Sequence, residues 1–163
     1  MKALRYVPLV AVLALALLGG TGCGKKSSET SPIDDGKKTA DTGGAKTVAQ
    51  QISAGIVYFD YDKFDIKSEY RDMMTQKANL IKGNQQIRVQ IEGHCDERGT
   101  EEYNLALGER RARAAYQYLI KSGVKPAQLS ILSLGKKRPA VQGENEAAWS
   151  KNRRAEFKVT AGQ

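Results

Sequence analysis

The sequence predicts an α/β domain, an α+β sandwich in which a four-stranded sheet is covered by helices on one face only. Two observations lead there. Ile87, Val89, Ile91, Gly93 and Cys95 alternate with Arg88, Gln90, Glu92, His94 and Asp96, a period of two that buries one sheet face and leaves the other wet. Stretches with helical spacing separate this strand from three further strand-like runs, and half-polar strands exclude a sheet sandwiched between two helix layers.

The elements follow in chain order. Lys2 and Arg5 precede an apolar run from Val7 to Leu18, and then come Gly19, Gly20, Thr21, Gly22 and Cys23. This is the layout of an exported leader, residues 1–22. The run is shorter than the about 20 apolar residues a spanning helix needs, so it addresses the chain for export and does not hold it in a bilayer. The small residues before Cys23 resemble a bacterial lipobox, whose cysteine becomes the first mature residue and carries acyl chains. Gly20 departs from the usual Leu three places before the cysteine. The alternative is ordinary secretory cleavage, with Cys23 either lost or left as a stray thiol in an oxidising compartment. Gly24 stands where an Asp would signal retention at the inner membrane, so the resemblance implies the outer membrane. Several acyl chains on Cys23 would make the lipid anchor stable where one alone is marginal.

Residues 24–54 contain Ile33, Val48 and Ile52 as their large apolar side chains and no aromatics. Such composition cannot offset its ordering entropy, so residues 23–54 read as a lipidated cysteine and a flexible tether, with a reach of roughly 30 Å as a coil. Its basic and acidic residues nearly cancel, which gives no support to a polybasic membrane contact.

The domain is expected at residues 55–163. Ile56 to Phe59 read as a short strand ended by Asp60, Tyr61, Asp62 and Lys63. Ser68 is a candidate cap for a helix with Tyr70, Met73, Met74, Lys77 and Ile81 on one side, stopped at Gly83 and Asn84. The alternating strand follows. Leu105, Gly108, Ala112, Ala115, Tyr116 and Leu119 then mark a long helix with Gly123 as its stop. Leu129 to Leu134 is a third strand, Glu144 to Lys151 a short helix, and Ala155, Phe157 and Val159 against Arg154, Glu156 and Lys158 repeat the strand alternation.

Length and charge limit the function. A chain of 163 residues holds no large multi-domain enzyme. Two cysteines make no disulfide framework. His94, Cys95 and Asp96 in succession suggest a metal or thiol centre, but alternation puts Cys95 on the core side with Ile91. The chain has one histidine, so neither a zinc site nor a cysteine–histidine pair finds a second half. Neither an enzyme nor a bound cofactor is expected. The net charge is +8, and +6 without Lys2 and Arg5; with Lys136-Lys137-Arg138 and Lys151-Asn152-Arg153-Arg154 it could hold phosphates. Export removes nucleic acid as the partner, so these runs read as a solvated face or a docking surface.

Chemistry concentrates between Glu92 and Ala112, a dense charged stretch at a strand-to-helix junction where binding groups collect. On its chemistry alone Asp96 serves equally as an acid at a helix entry, and Arg111 as an ion-pair partner on a wet face. This stretch, with Val57-Tyr58-Phe59-Asp60, Gly135 to Val141 and Ser150 to Arg154, resembles the OmpA-like peptidoglycan-binding domains, and most of all their lipid-anchored Tol-system branch. The resemblance covers nearly the whole domain. It implies a mixed sheet and a pocket that binds, without chemistry, the diaminopimelate of the peptidoglycan stem peptide. By residue it implies that Asp96 accepts from the ligand ammonium and Arg111 grips the carboxylate. Thr100, Asn104 and Leu107 would shape the wall, the backbone of Phe59 and Asp60 would complete it, and Arg98 also matches. It further implies periplasmic and inner-membrane Tol proteins as partners. A peptidoglycan binder of another envelope machine would share this pocket, and an exported nucleic-acid binder is the reading from a different class.

Overall fold

The computed structural model describes residues 47–162. The leader, Cys23 and most of the tether lie outside the described residues.

The described residues open on a helix where a tether was expected. Helix α1, Val48–Ser53, is closed by a capping box in which the Thr47 hydroxyl accepts from Gln50 N and the Gln50 side chain accepts from Thr47 N. Ile52 is fully buried and Val48 packs on the core, so the apolar pair four residues apart gives this short helix a face to bury. Lys77 reinforces it by donating from Nζ to the carbonyls of Ile52 and Ala54. Residues 48–53 therefore pack with the domain.

Strand β1 is short, Val57–Tyr58. A single 3-10 turn, Ser68–Tyr70, leads into α2, Arg71–Gly83. Ser68 does not cap α2 as expected; the turn intervenes, and neither Lys67 nor Tyr70 supplies a side-chain cap. Strand β2, Arg88–His94, is followed by the long helix α3, Glu101–Lys121. Strand β3, Leu129–Gly135, α4, Glu146–Asn152, and β4, Arg154–Ala161, complete the domain.

The sheet runs β1-β4-β2-β3. Strands β2 and β3 are parallel, joined by the α3 crossover, while β4 is antiparallel to both β2 and β1. It is the mixed sheet the sequence resemblance implies. Val89, Ile91, Ala155 and Phe157 face Ile52 of α1, Met74, Ala78 and Ile81 of α2, and Ala112, Ala115 and Leu119 of α3 in one core.

The other sheet face departs from expectation. Alternation assigns Glu92 and His94 to water, yet both are buried. In register, Glu92 pairs with Glu156 and His94 with Arg154, so long charged side chains of β4 lie over them. Arg154 also donates to Arg138 O at 3.3 Å, which ties the chain following β3 over this end of the sheet. Arg153 and Arg154 are consequently buried, and the basic run that ends in them is no solvated face.

Candidate functional site

Two glycines set the position of the site. A Cβ on Gly93 of β2 would stand 1.8 Å from Gly108 O of α3, and one on Gly108 would stand 2.4 Å from Ser133 Oγ. Helix and sheet therefore touch backbone to backbone, and the β2 carboxyl end is drawn against the first turns of α3. Thr100 caps that helix by accepting from Tyr103 N at 3.2 Å.

The crossing brings Asp96, Arg98, Asn104, Leu107 and Arg111 around one pocket, with Tyr61, Asp62, Cys95, Gly99 and Tyr103. Thr100 is not part of the lining; its hydroxyl is committed to the cap. Phe59 and Asp60 stand behind the wall. Asp60 turns its carboxylate outward to Lys67 at 2.6 Å, and its carbonyl accepts from Arg111 Nη2 at 3.3 Å. The Phe59 carbonyl accepts from Arg153 Nε at 3.1 Å, and its ring centroid lies 5.2 Å from the Arg111 guanidinium.

Arg111 is fully buried. It is no surface ion-pair partner: Nε donates to Lys63 O at 2.9 Å, Nη1 to His94 O at 2.8 Å, and Nη2 to Asp60 O. Three backbone carbonyls from two segments, the loop after β1 and the end of β2, hold one guanidinium rigidly. A guanidinium has five N–H groups, so two lie outside these carbonyl bonds. Burial pulls its pKa below the usual arginine value, with Cys95 and Asp96 opposing.

Asp96 is nearly as deep. Its Oδ1 accepts from Arg98 N at 3.2 Å and Arg98 Nε at 3.3 Å; its Oδ2 accepts from Arg98 Nη2 at 2.7 Å and Arg153 Nη1 at 3.4 Å. Burial acts to raise this carboxyl, and the hydrogen bonds and charge of Arg98, with Arg153 behind it, outweigh burial and hold it below its ordinary 3.8. Arg98 is itself clasped between two rings, 4.2 Å from the Tyr61 centroid and 4.0 Å from that of Trp149. Asn104 Nδ2 donates to the carbonyls of Arg98 at 2.7 Å and Thr100 at 3.0 Å, which fixes the loop that carries Arg98.

Sequence reasoning missed Arg153, Tyr61, Asp62 and Trp149. Arg153 lies 57 residues from Asp96, and only the pairing of β4 with β2 brings the two together. Asp62 sits at φ 54, a backbone region tolerated by Asp, and its carboxylate accepts from Tyr103 OH. The Asp60 to Lys63 run that ends the first strand was the available signal.

Cys95 lines the pocket floor and is buried, as its parity requires. Its Sγ donates to Asn104 O at 3.3 Å, and burial pushes the thiol up to about 11, so it is a packed thiol and no nucleophile at neutral pH. With the carboxylates of Asp62 and Asp96 and the guanidinium groups of Arg98 and Arg111 in its lining, the pocket presents both signs of charge and suits a small zwitterion.

The profile of the OmpA family matches residues 58–153. Over most of its length the chain resembles the peptidoglycan-associated lipoproteins of Pseudomonas aeruginosa, 42% identical and covering 91% of this chain and 94% of that one, and of Pasteurella multocida, 41% identical over 95% and 97%. The crystal structure of the peptidoglycan-associated lipoprotein from Burkholderia pseudomallei superposes with a TM-score of 0.66 at 40% identity, covering 68% of this chain and 94% of that one. The C-terminal domain of Helicobacter pylori MotB, 22% identical with a TM-score of 0.62 over 66% of this chain and 85% of that one, shares the fold.

Proposed function

The chain belongs to the OmpA family and, within it, to the peptidoglycan-associated lipoproteins; on that premise we propose that it is an acylated outer-membrane protein whose domain binds the diaminopimelate of peptidoglycan and so links membrane to wall. The observation that carries this reading is the meeting of Asp96 and Arg111 in one pocket, an anionic group held by Arg98 and Arg153 and a cationic group held by backbone carbonyls. Diaminopimelate ends in an ammonium beside a carboxylate. The carboxylate takes the N–H groups of Arg111 that no backbone carbonyl holds, and the ammonium goes to Asp96.

Asp96 already accepts four donors, so the ammonium must displace one of them. Arg98 is the one that yields. Its side chain is 32% exposed while that of Arg153 is 7% exposed, and the rings of Tyr61 and Trp149 keep Arg98 positioned as it turns from Asp96 toward the ligand. Leu107 packs on the ligand's methylene chain, and Asn104 acts by holding the loop. Each charge-assisted bond contributes about 1.5–3 kcal/mol, so one domain binds modestly. Many anchored copies facing one polymer hold by avidity.

Anchoring is assigned to acyl chains on Cys23; among the described residues no helix is long and apolar enough to cross a membrane. In this reading the domain faces the periplasm, its protein partners are the periplasmic and inner-membrane components of the Tol system, and the assembly supports envelope integrity and cell division. No covalent step is assigned to the pocket. The test is a calorimetric titration of the purified protein with two muropeptides, one with meso-diaminopimelate and one with lysine at that position, which keeps the ammonium and lacks the carboxylate. The first is expected to bind at least about tenfold more tightly, the loss of one charge-assisted pair. Equal affinity would contradict the Arg111 assignment.

A further inference from the structure

His94 presents a buried imidazole with no hydrogen bond at either nitrogen. It is 1% exposed, and neither Nδ1 nor Nε2 has a partner. A native structure rarely leaves such groups orphaned, and an ion is one of the few physical explanations. The surroundings supply the rest of a coordination sphere. Glu92, two residues earlier in β2, places Oε2 3.8 Å from His94 Nε2, and Glu156 of β4 is the registered partner of Glu92. One ligand atom from each of the three residues lies within 4.8 Å of the others.

We propose that Glu92, His94 and Glu156 form a binding site for a single divalent transition-metal ion, Zn2+ being the best match, on the sheet face turned away from α1, α2 and α3. One imidazole and two carboxylates suit Zn2+, whereas Mg2+ and Ca2+ favour oxygen alone. Bonds of about 2.0–2.2 Å require donors roughly 3.3–3.6 Å apart, so small rotations of the two glutamates close the site. The remaining position faces solvent on the side of Glu156, whose side chain is 26% exposed.

A cation already stands at this place. Lys158 Nζ lies 2.6 Å from Glu92 Oε2, and its side chain is 44% exposed, so it can swing out to water as the ion enters. Arg154 Nε holds Glu156 Oε1 at 2.6 Å and leaves the other oxygen of Glu156 to the metal. The sequence offered His94 no complete set because Glu156 comes from a strand 62 residues away; the β2–β4 register supplies it.

The test is a calorimetric titration of the full chain, stripped with chelator, with Zn2+ alone. The chain has one histidine, so its ring resonances follow the same titration by NMR. One ion per chain is expected, with displacement of the His94 ring signals, affinity lowered at least about tenfold in Glu156→Gln and His94→Gln, and raised in Lys158→Gln, which removes the competing ammonium. Glu156→Gln guards the test, since Glu156 is partly exposed and its amide keeps the shape. Unchanged binding in both ligand variants, unmoved ring signals, or no binding by either the wild type or Lys158→Gln would overturn the site.

Discussion

Arg98 lies on Asp96 with an aromatic ring on each side, and one of those rings belongs to Trp149, the single tryptophan of the chain. A ligand that moves Arg98 must therefore change the surroundings of that indole. Saturating muropeptide is expected to shift Trp149 emission in the wild type and leave it unchanged in Arg98→Ala; a wild-type spectrum that does not respond would mean that Arg98 keeps its place. Cys95 offers a second probe at this scale. Its thiol is buried and raised to about 11, so a thiol reagent at pH 7.5 should modify it only as fast as the native state opens, and added denaturant should speed the reaction steeply. Of these residues Asp96, Arg98 and Arg111 were legible in the sequence as family positions. Their tethers were not: the carbonyls of Lys63, His94 and Asp60 around Arg111, and Arg153 behind Asp96, are contacts between segments far apart in the chain, which local pattern does not encode.

At the scale of elements, the crossing of α3 over β2 sets how close Arg111 comes to Asp96. Gly93→Ala would drive a methyl into Gly108 O. Overpacking of this kind costs about 1–3 kcal/mol or more and must separate helix from strand, so denaturant unfolding should show at least that loss, with muropeptide affinity falling in parallel. Helix α1 depends on Lys77, whose buried ammonium lies 4.6 Å from the Phe157 centroid. Burial lowers this group from 10.5 to about 8. Between those values the unfolded chain binds more protons than the folded one, so stability rises as pH increases through that window. Thermal melts at pH 7 and pH 9 should show the rise in the wild type relative to Lys77→Met, which has no proton to lose; parallel behaviour would show that Lys77 keeps its ordinary value. The alternation of β2 and the apolar stripe of α3 were legible because each buries a regular face. Helix α1 was not, because a six-residue helix with two apolar side chains is indistinguishable by composition from a linker; the Thr47 and Gln50 pair was the one local signal.

At the scale of the whole molecule, the two sheet faces do different work. The helix-covered face supplies the core, and the pocket opens where the β2 carboxyl end meets α3. The opposite face was expected to be wet, and at its β2–β4 centre it is instead a buried set of charges whose partners only the sheet register reveals. Fold class and pocket were legible together because they share the strand-to-helix stretch from Glu92 to Ala112, whereas this second cluster depends on charges that meet only across strands. The central claim is that one carboxylate and one guanidinium clamp a zwitterion, and conservative variants test it best, since Arg111 also ties α3 to two other segments. The most direct measurement is the affinity of the purified protein for a meso-diaminopimelate muropeptide in the wild type, Asp96→Asn and Arg111→Lys, each shown to be folded by its melting curve. The account predicts a loss of about tenfold or more in both variants, the equivalent of about 1.5–3 kcal/mol for a charge-assisted pair; wild-type affinity in either folded variant would contradict it.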